Sequence, residues 1–390
     1  MTPITANGEL EAFCARLADQ PFIAVDTEFM RETTYWPKLC LIQAAGPDAA
    51  AVIDPIAPGI DLKPFLALMA DPKIQKVFHA GRQDVEIFYN LGVIPKPLFD
   101  TQIAGMAAGF GEQIAYDALV RQMLRIDIDK SSRFTDWSRR PLSQAQLDYA
   151  LADVTHLAEI YPRLRERLER DGRLAWVEEE MADLVDPSNY DMTPENAWRR
   201  LKPRRHTAKY LSVFRSVAAW RERMAQTRDQ PRGRIIKDDA IDEIATQAPT
   251  DVEALSRLRS VPKGFGASRF GPELLEAVRE ALAAPEAHAP VVERPRPPAT
   301  PQGAGAVVEL LKVLLKARAE EAGVASKLIA TVADLEKIAA DDAADTPALQ
   351  GWRRDAFGHD ALKVKRGELA LVLDGGRVRV VEVRRAPRPA

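Results

Sequence analysis

The sequence predicts an α/β domain with a mixed sheet over residues 1–170, followed by two small, mainly α-helical modules at 204–285 and 305–385. Three observations predict it. Strand-like and helix-like runs at the start follow the order strand-strand-strand-helix-strand-helix-strand-helix. Three strands on short loops favour an antiparallel meander, so the sheet is mixed rather than doubly wound and parallel. Beyond 204 the periodicity turns helical. Finally, six prolines in the 17 residues from Pro285 to Pro301 mark a linker, assigned to 286–304, between the two helical modules.

The elements follow in order. Glu9–Ala18 is amphipathic, with Leu10, Phe13, Cys14 and Leu17 on one side. Phe22–Phe29 reads as a short buried strand opened by Pro21. Leu39–Ala45 and Ala50–Ile53 are two more, split by the turn signal Gly46-Pro47-Asp48. Asp61–Met69 reads as a helix, Lys76–Phe78 as a strand, Asp84–Leu91 as a helix, Leu98-Phe99 as a strand and Thr101–Ala108 as a helix. Ser143–Leu168 is the longest helical run of this half, with Ser143 and Gln146 spaced as a capping box. A connecting segment, 171–203, carries a helix at Ala175–Leu184. Helical patterns then cover Ala208–Met224, Asp238–Ala245, Asp251–Leu258 and Pro272–Leu282, and past the prolines Gly305–Ala319, Ser326–Ala339 and Thr346–Asp355. Leu369–Val383 is a β-hairpin pattern around Gly375-Gly376.

Composition narrows the classes. Apolar residues make up 46% and charged residues 28% of the 390, as in ordinary globular proteins. Two cysteines, Cys14 and Cys40, make neither a disulfide framework nor a cysteine-rich metal site. There is no apolar run of membrane-spanning length and no secretory signal pattern, so a cytoplasmic protein without a membrane partner is expected. No Gly-x-Gly-x-x-Gly or phosphate-loop lysine points to a nucleotide cofactor. The net charge of −3 hides an asymmetry. Arg199–Lys237 holds 13 basic residues against Glu222 and Asp229, leaving 41 basic and 55 acidic residues elsewhere. Such a block either meets a polyanion or is a solvated helix face.

The chemistry starts at Asp26 and Glu28. Two residues apart on a strand, they share a face. Paired carboxylates at the end of an apolar strand either simply run out into solvent or hold a hard divalent cation, which prefers oxygen ligands. Asp84 opens a helix, where an acid also suits the helix dipole. Tyr149 and Asp153, four apart, share a helix face. Elements of a mixed α/β domain can bring all five to one edge of the sheet.

Asp26-x-Glu28, then His79-Ala-Gly-Arg-Gln-Asp84, then Tyr149-x-x-x-Asp153 resemble the three exonuclease motifs of the DEDD family, tyrosine subtype. The flanking words Thr34-Tyr-Trp-Pro-Lys-Leu-Cys-Leu-Ile-Gln43, Leu98-Phe-Asp-Thr-Gln102 and Thr135-Asp-Trp-Ser-Arg-Arg-Pro-Leu142 are similar to those of its ribonuclease D branch. The basic helical module resembles an HRDC domain, and 305–385 resembles a degenerate second copy that departs in its hairpin.

The resemblance implies a ribonuclease H-like catalytic domain and a 3′-to-5′ exoribonuclease that releases nucleoside 5′-monophosphates. It also implies two divalent cations, Mg²⁺ or Mn²⁺; an all-carboxylate site suits these better than zinc. Asp26 would bridge both, Glu28 and Asp153 would hold the cation beside the attacking water, Asp84 would support the other, and Tyr149 would orient the water. The implied partner is RNA, tRNA precursors with 3′ extensions, met by a monomer. For substrate contacts, Thr27 and Phe29 flank the acids, Phe29 being equally a core strand residue. His79 is either a substrate contact or a hydrogen-bonded core histidine. Trp137, Arg139 and Arg140 form either a phosphate- or base-holding loop or a packed tryptophan with solvated arginines. Arg204 and Arg205 lie in the basic block. A DNA-directed exonuclease and a non-catalytic nucleic-acid-binding protein are the alternatives, the intact set of five residues arguing against the latter.

Overall fold

A computed structural model of the protein describes residues 2–291 and 303–383. The N-terminal domain is built on a five-stranded sheet of order β3-β2-β1-β4-β5. Its strands are β1 Phe22–Met30, β2 Lys38–Ala45, β3 Ala50–Ile53, β4 Gln75–Phe78 and β5 Leu98–Asp100. The first three form the expected antiparallel meander, and β4 and β5 add in parallel to β1, so the sheet is mixed. β1 is central and nearly all buried before Asp26, because both its faces are covered. On one face lie α1 Asn7–Ala18, α2 Lys63–Ala70 and α3 Arg82–Asn90, which pack Leu10, Phe65 and Phe88 against Ile23 and Val25. On the other lie α4 Thr101–Ala107, α5 Tyr116–Leu124, α6 Gln144–Arg170 and α7 Leu174–Leu184.

The long helix α6 begins as its sequence dictates. The Ser143 side chain accepts from the Gln146 backbone N–H and the Gln146 side chain returns to the Ser143 N–H, a complete capping box. Leu147, Ala150, Val154, Leu157, Tyr161, Leu164 and Leu168 form one buried stripe at three- and four-residue spacing. Tyr149 and Asp153 flank that stripe near the helix N-terminus, beside the C-terminal end of β1.

The first helical module packs the 20-residue helix Ala208–Thr227, capped by Thr207, against Asp238–Gln247 and Gly271–Ala283. Of the proline-rich segment, Pro285–His288 forms a helical turn, and 292–302 lie outside the described residues. The C-terminal module contains Ala304–Ala322, Val332–Ala340 and His359–Lys365, and ends in the hairpin Leu369–Asp374/Arg377–Glu382. Gly375 and Gly376 sit at φ 58° and 79°, the left-handed conformations a two-residue hairpin turn requires.

Three elements differ from the sequence reading. α5 has no counterpart among the helices read from the sequence. Ser326–Ala339 is two helices, because Thr331 and Asp334 form a capping box that starts a new one. Thr346–Asp355 is helical only in part: a short turn at Pro347–Leu349 precedes a helix that starts at Gly351, widens by a residue per turn over Arg354–Gly358 and runs on to Lys365.

Candidate active site

Three sets of residues meet at the end of β1. Asp26 and Glu28 project from the strand on one face, just before a bulge between Glu28 and Phe29 bends it. Asp153 reaches them from α6. Carboxylate oxygens of these three residues all lie within 4.8 Å of one another. They stand in a cavity of about 500 Å³ that is also lined by Thr27, His79, Gln102, Tyr116, Arg133, Phe134 and Tyr149.

Asp84 stands behind this group and does not line the cavity. It sits in the first turn of α3, is 7% exposed, and accepts a 2.5 Å hydrogen bond from Thr27 Oγ1. The turn before α3 is tightly specified. Asp100 accepts from the backbone N–H groups of Ala80 and Gly81, at 3.1 and 2.8 Å, while capping α4. Ala80 is held at φ 56°, and a Cβ on Gly81 would lie 2.6 Å from that of Phe78. The backbone therefore has one route from β4 into α3, and Asp84 lands next to β1.

The electrostatics are those of an anion cluster awaiting a counter-charge. Burial, and then the neighbouring charges of Asp84, Asp153 and Glu28, push the Asp26 carboxyl well above the usual carboxylate range. Burial, with Asp153 and Asp84, takes Glu28 up to about 8. Burial takes Asp84 and Asp153 up to about 7 each, against the Thr27 hydroxyl in the first case and the Tyr149 hydroxyl in the second. Carboxylates so placed are stabilised in their charged forms by hard cations, so the donor set fits divalent metal. Tyr149 is pushed up by burial and by the same acids, so its hydroxyl stays protonated. Tyr116 fixes this turn of α6, its hydroxyl donating to the carbonyl of Asp153 at 2.5 Å.

The remaining expected site residues divide. Thr27 lines the cavity and bridges to Asp84. Phe29, half-buried beyond the bulge, is not among the lining residues. His79 lines the cavity, but its Nε2–H donates to the Ile114 carbonyl at 3.1 Å and its Nδ1 lies 3.0 Å from Thr101 Oγ1, so both nitrogens are engaged. Burial lowers its pKa and keeps it neutral.

In the loop Trp137–Arg140 the tryptophan is packed, Arg140 is held by the sheet, and Arg139 alone is solvated. Trp137 is 2% exposed, its ring 6.2 Å from that of Tyr149. Arg140 is held by Asp54 at 2.6 and 2.8 Å and by the Cys40 carbonyl at 2.6 Å, which ties the loop to β2 and β3. Arg139 is exposed and pairs with Asp136. Arg204 and Arg205 are exposed on the first helical module, away from the cavity, and Arg204 pairs with Asp239 and Asp242. The sequence reading missed Lys130, Arg133 and Phe134 as cavity residues. The signal available was a cation-aromatic dipeptide just upstream of the loop it singled out.

Comparison with known proteins agrees with this geometry. Residues 1–169 match the family described as 3′-5′ exonuclease, and residues 211–278 match the HRDC domain. Ribonuclease D of Nitrobacter hamburgensis is 53% identical over 383 residues, covering 98% of this chain and 100% of its own. Ribonuclease D of Granulibacter bethesdensis is 51% identical over 381 residues, covering 97% of this chain and 96% of its own. The crystal structure of Escherichia coli RNase D, described as an exoribonuclease involved in structured RNA processing, superposes with a TM-score of 0.78 at 28% identity, over 94% of this chain and 99% of that one. With a cation-ready carboxylate cluster in a matching exonuclease fold, and near full-length relatives at half identity, this chain belongs to the ribonuclease D family of 3′-to-5′ exoribonucleases.

Proposed function

We propose that this exoribonuclease trims 3′ extensions from tRNA precursors in the cytoplasm, as a monomer, with two Mg²⁺ or Mn²⁺ ions. The observation that carries the two-ion reading is the convergence of Asp26, Glu28 and Asp153 oxygens within 4.8 Å, with Asp84 behind them. When bound, such ions activate water and offset charge on the phosphate and the departing 3′ oxygen. Asp26, central in the cluster, would contact both; Glu28 and Asp153 would hold one and Asp84 would support the other. Tyr149, protonated, donates a hydrogen bond that orients the attacking water, and it is not a base. Thr27 positions Asp84 and faces the terminal nucleotide. No helix among the described residues is long and apolar enough to cross a membrane, which accords with this location.

The basic module, taken as 204–285, grips the RNA backbone through side chains such as Arg205 in a salt-sensitive contact. Residues 305–385 are read as a degenerate second HRDC domain. Helices of 20, four and ten residues at Ala208, Arg232 and Asp238 recur as 19, four and nine at Ala304, Ser326 and Val332.

The test is release of 3′ nucleotides from matched RNA and DNA strands with Mg²⁺ or Mn²⁺. RNA is expected to be degraded faster, and Asp26→Asn to lower the rate by about a thousandfold or more, since a lost ligand removes several kcal/mol of charge stabilisation. A chelator should do the same. Full activity of Asp26→Asn, or in chelator, would sink the two-ion reading. Equal turnover of tRNA with and without a 3′ extension would sink the substrate assignment.

A further inference from the structure

Phe134 is 90% exposed, a phenyl ring standing in water at the rim of the catalytic cavity. Exposed aromatic rings are costly to hydrate and common where nucleobases stack. The ring is presented rather than dangling, because its loop is anchored on both sides. Upstream, Lys130 Nζ pairs with Asp117 at 2.7 Å and Ser132 is buried. Downstream, Thr135 Oγ1 donates to the Ser132 carbonyl at 2.8 Å, accepts from Gln146 Nε2 at 3.0 Å, and leads into buried Trp137.

Arg133 has its guanidinium 5.2 Å from the centre of the Phe134 ring. Among the described residues it makes no ion pair within 4 Å, whereas Lys130, the other cation lining the cavity, is committed to Asp117. A cleaved phosphodiester must sit at the carboxylates on the cavity floor. The terminal nucleoside then lies inside, and the next nucleotide, which continues into the body of the RNA, lies at the rim.

We propose that Phe134 is the stacking platform for the penultimate base of the RNA 3′ end, and that Arg133 pairs with the adjoining backbone phosphate. A guanidinium stacked on an aromatic ring keeps its edge free for phosphate oxygens, so the two residues act as one wall. The contact is indifferent to base identity, because every base has a π-face.

The proposal rests on the exonuclease reading and is tested by pairing protein and substrate changes. On intact RNA, Phe134→Ala should raise KM roughly five- to tenfold with little change in kcat, and Phe134→Trp should restore it. An abasic penultimate nucleotide should raise the wild-type KM similarly, and add little to Phe134→Ala. An unchanged KM for Phe134→Ala, or an undiminished abasic penalty in that variant, overturns the platform. Arg133→Ala should reduce the slope of log affinity against log salt by about one; an unchanged slope overturns the phosphate contact. Because Phe134 is solvent-exposed, the variants' melting temperatures should match the wild type. A wild-type enzyme inert on all RNA would instead defeat the exonuclease reading. Stacking would then still be read directly, as a change in the fluorescence of a penultimate 2-aminopurine on binding, given by the wild type as the base leaves its neighbours and not by Phe134→Ala.

Discussion

The two helical modules open with the same sequence of helices, yet they hold the nuclease domain by different chemistry. In the first, Tyr35, on the loop that follows the catalytic strand, is buried in the module's own core. Its hydroxyl donates to Glu222, which is 1% exposed and gripped by Arg232 at 2.6 Å through two nitrogens, with Arg200 at 3.3 Å. Arg232 also lies over the Tyr35 ring at 4.6 Å, and the backbone N–H groups of Tyr35 and Trp36 both donate to Asp229 at 3.0 Å. In the second, the Trp352 ring stacks flat on Trp176 of α7, 4.1 Å apart and 4° from parallel, and Arg353 pairs with Glu179 and Glu180. The Ala325 N–H donates to the Met106 carbonyl at 2.9 Å. Charge differs as well: 207–237 carries eight basic and two acidic residues, and the corresponding 303–331 four and three. The first module carries the basic residues and a polar attachment beside the catalytic strand. The second carries nearly balanced charge there and is attached to α7 by the tryptophan stack together with the Arg353 ion pairs.

Glu222→Ala is the sharpest way to break the comparison, with the largest expected effect. It leaves the part-buried Arg232 and the Tyr35 hydroxyl without their acceptor. Removing one partner of a buried ion pair costs about 3–5 kcal/mol. Denaturant unfolding should show that loss as an early transition of the first module, with the N-terminal domain transition preserved. Because the carboxylates are fixed by β1, α3 and α6 within the N-terminal domain rather than by this contact, the RNA KM should rise while kcat stays near wild type. A fall in kcat with KM unchanged would refute the assignment of this attachment to RNA affinity.

Trp352→Ala tests the other attachment and should cost less. The ring is only partly buried, so about 2 kcal/mol is expected, below the range for a fully buried tryptophan. Limited proteolysis should then release the C-terminal module faster, with RNA affinity nearly unchanged. A loss of affinity as large as that of Glu222→Ala would mean that the C-terminal module also carries RNA contacts, and the contrast between the two attachments would fail.

How much of this was legible in the sequence follows from how local each signal is. Asp26, Glu28, Tyr149 and Asp153 could be placed because period-two and period-four spacing fix which side chains share a face. The capping box at Ser143 set the start of α6 for the same reason. Thr331-x-x-Asp334 is an equally local signal, lying inside the stretch read as one helix. Trp137 and Arg140 were not legible, since their partners Tyr149, Asp54 and Cys40 are distant in sequence and only the folded sheet brings them together. The same holds for Tyr35 and Glu222, 187 residues apart, and for Trp176 and Trp352.

The smallest expected effect is one of acidity, and it discriminates because only the first attachment turns on a single buried carboxylate. Burial alone would push the Glu222 pKa up. Hydrogen bonds from Arg232 and Tyr35, with the charges of Arg232 and Arg200, outweigh burial and hold it below the ordinary glutamate value. A carboxyl whose folded-state pKa is depressed contributes stability above its unfolded-state value, about 4.5, and loses that contribution as pH falls through the folded-state value. Melting of the first module should therefore be flat with pH above that range and drop below it, and Glu222→Gln should flatten the drop. The effect is modest because burial cancels part of what the arginines supply. An acid-induced drop identical in wild type and Glu222→Gln would place the titrating group elsewhere, and the polar attachment would then owe its strength to the Tyr35 packing and the Asp229 backbone contacts alone.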